Sequence, residues 1–301
     1  MPQDHVFDAS MRLHRGLPRQ GPGSEQSTLE LLRAALDSRP DDAAPVRLVY
    51  DAGAGSGAAS LLLARELSRS GPDSGSGSGG PDSNGRGAGS ADSGSADPSG
   101  SGATPHGDDA EGRDDVVILA VDAHAPFLEE LAERAAADGW ESVIRTEHRS
   151  MVDPELLERL HGAADLIWCE AAVHSVGLHE ALTAWRPLLS EHGRVVLTEF
   201  EWTAEPSAEA AKYWNARRPL NDHERNEKIA AEAGYRVIHH APLPESDWWD
   251  EYYTLLAQRA EQADLRDPAM IEAVRGLQHE IAIRQDYGED FAAVGYVLAP
   301  Q

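Results

Sequence analysis

The chain predicts an α/β fold, a largely parallel sheet covered by helices. Three observations carry this. Short β-rich runs alternate with helix-period stretches along most of the 301 residues; the first run ends in a glycine-rich turn that leads straight into an amphipathic helix; the second ends in an aspartate.

Taken in order, a helix at 28–36 shows apolar residues at helical spacing and leads into a strand at 47–51, followed by a helix at 58–67. The run 116–122 is almost continuously apolar, as a strand buried on both faces must be. A helix at 126–138, opened by Pro126, and a strand at 142–147 follow. Strands at 165–169 and 194–200 flank a helix at 177–189. After a helix at 221–233 come a strand at 235–239, a long helical region at 250–284 and a closing strand at 291–299, which makes seven strands. In an open α/β sheet the ligand crevice lies at the carboxyl ends of the strands, so the residues just after them are the candidates for chemistry.

One stretch does not fit this alternation. Between Leu67 and Val116 there is no Val, Ile, Leu, Met, Phe, Trp or Tyr, so nothing there offsets the entropy of ordering. Residues 69–114 are therefore expected to be a disordered, Gly/Ser/Asp-rich insertion within a single domain spanning 1–301.

With 52 acidic and 26 basic side chains the formal net charge is −26, a field that repels nucleic acid and anionic lipid alike. Lys occurs only twice, at Lys212 and Lys228; an acidic, Lys-poor surface fits a salt-rich, halophilic cytoplasm, and a GC-rich genome that favours Arg over Lys is the other reading. Cys169 is the only cysteine, which rules out an internal disulfide. Residues 1–15 lack the apolar segment of a secretory signal and no run is long enough to span a bilayer, so the expected location is cytoplasmic.

The chemistry concentrates after the first strand, in Asp51-Ala52-Gly53-Ala54-Gly55-Ser56-Gly57. Alternating glycines permit a tight turn and let a ligand approach bare peptide planes, with free N–H groups expected to face the gap. With the insertion set aside, Asp122 follows Gly57 by 19 positions, the spacing at which a carboxylate reaches the ribose hydroxyls of an adenosine ligand. A dinucleotide site uses the same two features, and Gly53 to Ala58 formally satisfies G-x-G-x-x-A, so an NAD(P)-dependent oxidoreductase stays open at this point. Against it, no Tyr-x-x-x-Lys pair is present.

Three further blocks narrow the choice. Arg19-Gln20-Gly21-Pro22-Gly23-Ser24 precedes the first helix, Asp165 to His174 (Asp-Leu-Ile-Trp-Cys-Glu-Ala-Ala-Val-His) covers the fourth strand and its loop, and Val196-Leu197-Thr198-Glu199-Phe200-Glu201-Trp202 lies at the fifth. Together with D-x-G-x-G-x-G they make the chain resemble the class I S-adenosylmethionine-dependent methyltransferases, in particular a prokaryotic small-molecule subgroup. That resemblance implies a Rossmann-like, seven-stranded, mostly parallel sheet whose last strand is antiparallel, with helices on both faces. It implies S-adenosyl-L-methionine as cofactor and a small-molecule methyl acceptor as partner. It places Asp51, Gly53 and Gly55 along the methionine part, Asp122 at the ribose, Ser150 and Met151 at the adenine, and Glu170 at the floor of the site, with Gly57 among the cofactor-binding residues. Ser150 departs from the acidic residue frequent at that position. The Gln20-Gly21-Pro22-Gly23 block would form a flap. His174 and Glu170, near the end of the fourth strand, are the candidate catalytic bases. A non-catalytic S-adenosylmethionine-binding protein is the remaining alternative.

Trp248, Trp249, Tyr252 and Tyr253 admit two readings, a box for a cationic acceptor or plain core packing. Trp202, Tyr213 and Trp214 admit the same two. His239 and His240 are adjacent on a strand and point to opposite faces, His174 and His179 lack ligand spacing, and no metal is expected.

Overall fold

Strand β1 (Leu48–Ala52) sits at the centre of the sheet, with Val49, Tyr50 and Ala52 fully excluded from solvent. A computed structural model describes residues 3–69 and 116–301; apart from Arg69, the insertion expected at 69–114 lies outside the described residues. β1 pairs in parallel with β2 (Val117–Asp122) and β4 (Ala164–Cys169). β2 carries β3 (Ile144–His148), and β4 carries β5 (Leu189–Trp202), again in parallel. A two-residue β6 (Asn221–Asp222) adds to the end of β5. β7 (Tyr235–Pro242) and β8 (Phe291–Pro300) complete the order β3-β2-β1-β4-β5-β8-β7. β8 is antiparallel to both its neighbours, as the resemblance implies.

Helices cover both faces because the strands are apolar on both. One face buries α2 (Glu25–Asp37), α3 (Ala58–Arg69) and α4 (Ala125–Ala137) against residues such as Val49, Ile118 and Trp168. The other buries α5 (Pro154–Arg159), α6 (Leu178–Trp185) and α8 (His223–Glu232) against Tyr50, Ile167 and Leu197. A third apolar cluster gathers over the carboxyl ends of the strands. It joins α1 (Gln3–His14), α7 (Ala208–Asn215), α9 (Ser246–Trp248), α10 (Thr254–Glu261) and α11 (Pro268–Tyr287) to the start of β8. No described helix is long and apolar enough to cross a membrane.

The structure differs from expectation in several places. Helices α1, α5 and α7 and the short β6 are additional. The helix expected at 177–189 stops at Trp185, before Pro187, and β5 begins at Leu189. The region 250–284 is not one helix: a five-residue π-helical turn, Trp249–Tyr253, precedes α10, and α11 restarts at Pro268 with Asp267 as its N-cap.

Candidate active site

The β1–α3 turn holds Gly53, Gly55 and Gly57 at φ +85°, +54° and +89°, a region L side chains avoid. At Gly53 a Cβ would lie 2.4 Å from the Ala172 Cβ, and at Gly55 2.4 Å from the Gln20 side-chain oxygen. Gly57 corrects the sequence reading: it does not line the cleft, and its missing Cβ makes room for Leu131 of α4.

The expectation of free N–H groups in this turn is also corrected. Gly53 and Ala54 donate to the Val121 carbonyl at 2.8 and 3.0 Å, Gly55 to Asp122, Ser56 to Gln20 and Gly57 to the Ala54 carbonyl. What faces the cleft is bare peptide surface whose donors are occupied.

Asp122 is oriented by two backbone donors, one per oxygen: Gly55 N–H to Oδ2 at 2.9 Å and His124 N–H to Oδ1 at 2.7 Å. A carboxylate oxygen has lone pairs to spare after one such bond, so both oxygens can still accept a hydroxyl. Across the turn, Asp51 is 1 % exposed and takes a hydrogen bond from Ser60 at 2.5 Å. Burial raises its pKa to about 7; the Ser60 bond opposes that rise, and the nearby Glu170 and Asp122 carboxylates add to it.

These residues line a cavity of about 790 Å³ at the carboxyl ends of β1, β2 and β4, together with Ser150, Met151, Glu170 and His174. Met151 is anchored through its carbonyl, which accepts from Tyr50 Oη at 2.8 Å and Trp185 Nε1 at 3.0 Å. Ser150 is exposed at the cleft edge.

Glu170 accepts from Arg19 Nη1 at 2.7 Å on one oxygen, and from Thr28 Oγ1 at 2.8 Å and Trp168 Nε1 at 2.9 Å on the other. With three donors in place the carboxylate is a structural anchor for the N-terminal segment, a role the base assignment did not foresee. That segment crosses the cleft: Gln20 is bonded to Ser56 through its side-chain amide, and Gly21 lies so near Ala171 that an added Cβ would stand 2.5 Å from the Ala171 Cβ. Ala171 itself has φ +54°, the one non-glycine at positive φ among the described residues.

His174, in a 3₁₀ turn after β4, is exposed and lines the cavity. Desolvation and then the Arg218 guanidinium push its pKa well below the usual histidine range. Arg218 is paired with Glu199 at 3.1 Å, and burial holds that carboxyl above its ordinary range despite the partner. Beyond His174 the cavity continues under the helical cap, past Phe200, Trp214, Tyr252 and Glu280, and is closed by Phe7, Met11 and His14 of α1.

The aromatic residues divide between the two readings. Trp248 and Tyr253 are core, and the cation over the Trp248 ring is the protein's own Arg284 at 4.2 Å. Tyr252 and Trp214 reach the cavity, whereas Trp202 packs on Phe291 and Tyr213 lies under Arg217 at 3.8 Å. Sequence reasoning missed Arg19, Thr28 and the α1 residues, although Phe7, Met11 and His14 at i, i+4, i+7 form a helical stripe.

The strand order and the antiparallel β8 are those of the class I S-adenosylmethionine-dependent methyltransferase fold. An S-adenosylmethionine-dependent methyltransferase from Geobacter sulfurreducens, solved with S-adenosyl-L-homocysteine, matches 100% of this chain and 99% of its own at TM-score 0.66 and 16% identity. YjhP from Escherichia coli matches over 99% and 100% at TM-score 0.67 and 14% identity. The [4+2]-cyclase SpnF matches over 99% and 93% at TM-score 0.62 and 14% identity. No protein-family model matches the chain, and no curated protein matches it by sequence.

Proposed function

We propose that this chain is an S-adenosyl-L-methionine-dependent methyltransferase acting on a small-molecule acceptor. The observation that carries the reading is the pairing of Asp122, held with its oxygens open, and buried Asp51 on either side of bare glycine backbone, in one cavity that runs on under a helical cap. The occupied N–H groups of the β1–α3 turn favour this over a nicotinamide dinucleotide, whose pyrophosphate needs free donors at a helix N-terminus. Fold alone does not decide the activity, since a cyclase shares it.

In this reading Asp122 accepts from the ribose hydroxyls, Gly53 and Gly55 admit the amino-acid tail, Asp51 faces its ammonium group, and Ser150 and Met151 flank the adenine. When bound, the sulfonium supplies an activated methyl group and departs as a neutral thioether. Because such a donor would arrive already activated, the protein's task would be alignment of the acceptor and exclusion of water. The N-terminal segment, clamped by Arg19–Glu170 and Gln20–Ser56, closes the cleft for that purpose. His174, held neutral, takes the proton of an acceptor that carries one.

Calorimetric titration with S-adenosyl-L-homocysteine and with NAD, followed by methyl transfer from labelled donor to a panel of small metabolites, tests the reading. Binding of the first without the second, and label in a product, is expected. Binding of NAD alone would overturn it, and cofactor binding without transfer to any acceptor would favour a non-catalytic binding protein.

A further inference from the structure

On the face of β5 opposite Phe200 by strand alternation, three donors from three elements converge. Glu201 comes from the end of β5, His223 from the first position of α8 and His240 from β7, and their ligand atoms lie within 4.8 Å of one another. Glu201 is 2 % exposed. Its Oε2 accepts from Tyr296 Oη and from Asn226 Nδ2, the latter at 3.2 Å, which leaves Oε1 facing His240 Nε2 at 2.8 Å. The two imidazole rings lie 3.7 Å apart, centroid to centroid, and His223 Nδ1 donates to Tyr296 Oη at 3.2 Å.

We propose that Glu201, His223 and His240 form a binding site for a divalent transition-metal ion of the zinc type. Two imidazole nitrogens and one carboxylate oxygen are the donor set of an open zinc site, and two nitrogens in three donors select against magnesium and calcium. The ion takes the place of the proton that His240 Nε2 shares with Glu201 Oε1. Donors around a tetrahedral zinc stand about 3.3 Å apart, so that pair opens by roughly half an ångström while the wider contacts close. The surrounding groups already do what an outer shell does: Asn226 and Tyr296 hold the distal carboxylate oxygen, and the Tyr296 hydroxyl fixes the His223 tautomer, leaving the other ring nitrogen unprotonated. Water completes the coordination. An ion here fastens the carboxyl ends of β5 and β7 to the start of α8, directly behind the strand that carries Phe200 into the cavity.

The untagged full chain, stripped with a chelator, is titrated with Co²⁺ and followed by the visible absorption of tetrahedral cobalt, then displaced with Zn²⁺. Saturation at one equivalent is expected, with affinity lowered at least about 100-fold in His223→Ala and in His240→Ala. His239→Ala, on the adjacent residue, leaves it unchanged. Glu201→Gln, which keeps the side-chain shape, also weakens binding, and Zn²⁺ raises the melting temperature of the parent chain but not of His240→Ala. Absence of saturable uptake, or uptake that survives the His223 and His240 substitutions, would show a hydrogen-bonded network only and overturn the proposal.

Discussion

The backbone N–H of Gly55 donates to Asp122 Oδ2 at 2.9 Å, and this contact ties the two motifs of the cleft into one device. The glycine turn after β1 sets the direction of the Asp122 carboxylate, and the carboxylate occupies a donor that would otherwise attract a phosphate. Asp122→Ala is expected to weaken S-adenosyl-L-homocysteine binding by about 1.5–3 kcal/mol, the range for hydrogen bonds to a charged group, or roughly 10- to 150-fold. Titration calorimetry reads it, and an unchanged affinity places the ribose elsewhere.

Gly21 and Ala171 touch where the N-terminal segment meets the end of β4. Gly21→Ala puts a methyl group 2.5 Å from the Ala171 Cβ, which pushes the segment outward and loosens Arg19–Glu170 and Gln20–Ser56. Faster release of S-adenosyl-L-homocysteine is expected, read by stopped-flow or surface binding. Ala171→Gly removes the obstructing carbon together with about 1 kcal/mol of left-handed strain. It should therefore restore slow release in the double variant; a Gly21→Ala chain with parental kinetics contradicts the contact.

Much of this was legible in the sequence, and the reasons are physical. The sheet announced itself because strands covered on both faces are nearly continuous apolar runs, and the glycine turn because only glycine holds those angles. The Glu170 anchor was not legible, since Arg19, Thr28 and Trp168 come from three separate segments and only the fold brings them to one carboxylate. The grouping of His240 with His223 and Glu201 escaped for the same reason. Strand alternation separates His239 from His240 but does not tell what β7 faces, and a register shift between Val237 and His239 alters the pairing with β8.

His174 presents a neutral ring to the cavity, and its lowered pKa means that protonation of this ring does not set activity between pH 6 and 7. His174→Ala is expected to lower the methyl-transfer rate on a proton-bearing acceptor at least about 10-fold, below the usual range for a general base because the ring is weakly basic. Affinity for S-adenosyl-L-homocysteine should stay unchanged. A loss of cofactor affinity equal to the loss of rate would assign His174 to the cofactor instead.

Asp51 gives the site its pH dependence. Burial is the leading cause of its raised pKa, from 3.8 to about 7, so the ligand-free fold keeps a proton that the unfolded chain has already released. The stability this contributes is complete below about pH 4 and is lost as pH rises through about 7. The change amounts to about 4 kcal/mol and levels off above that value. A ligand that brings an ammonium group to the ionised carboxylate reverses the trend. Affinity for S-adenosyl-L-homocysteine should therefore fall as pH drops below about 7, approaching tenfold per unit, while the melting temperature of the ligand-free chain rises over the same descent. Asp51→Asn keeps an acceptor for the Ser60 hydroxyl and carries no charge at any pH, so it should flatten both curves and bind weakly throughout. Thermal melts and calorimetry from pH 5 to 8.5 on the two chains decide the matter. If the parent and Asp51→Asn share one pH profile, the buried carboxylate is not the titrating group.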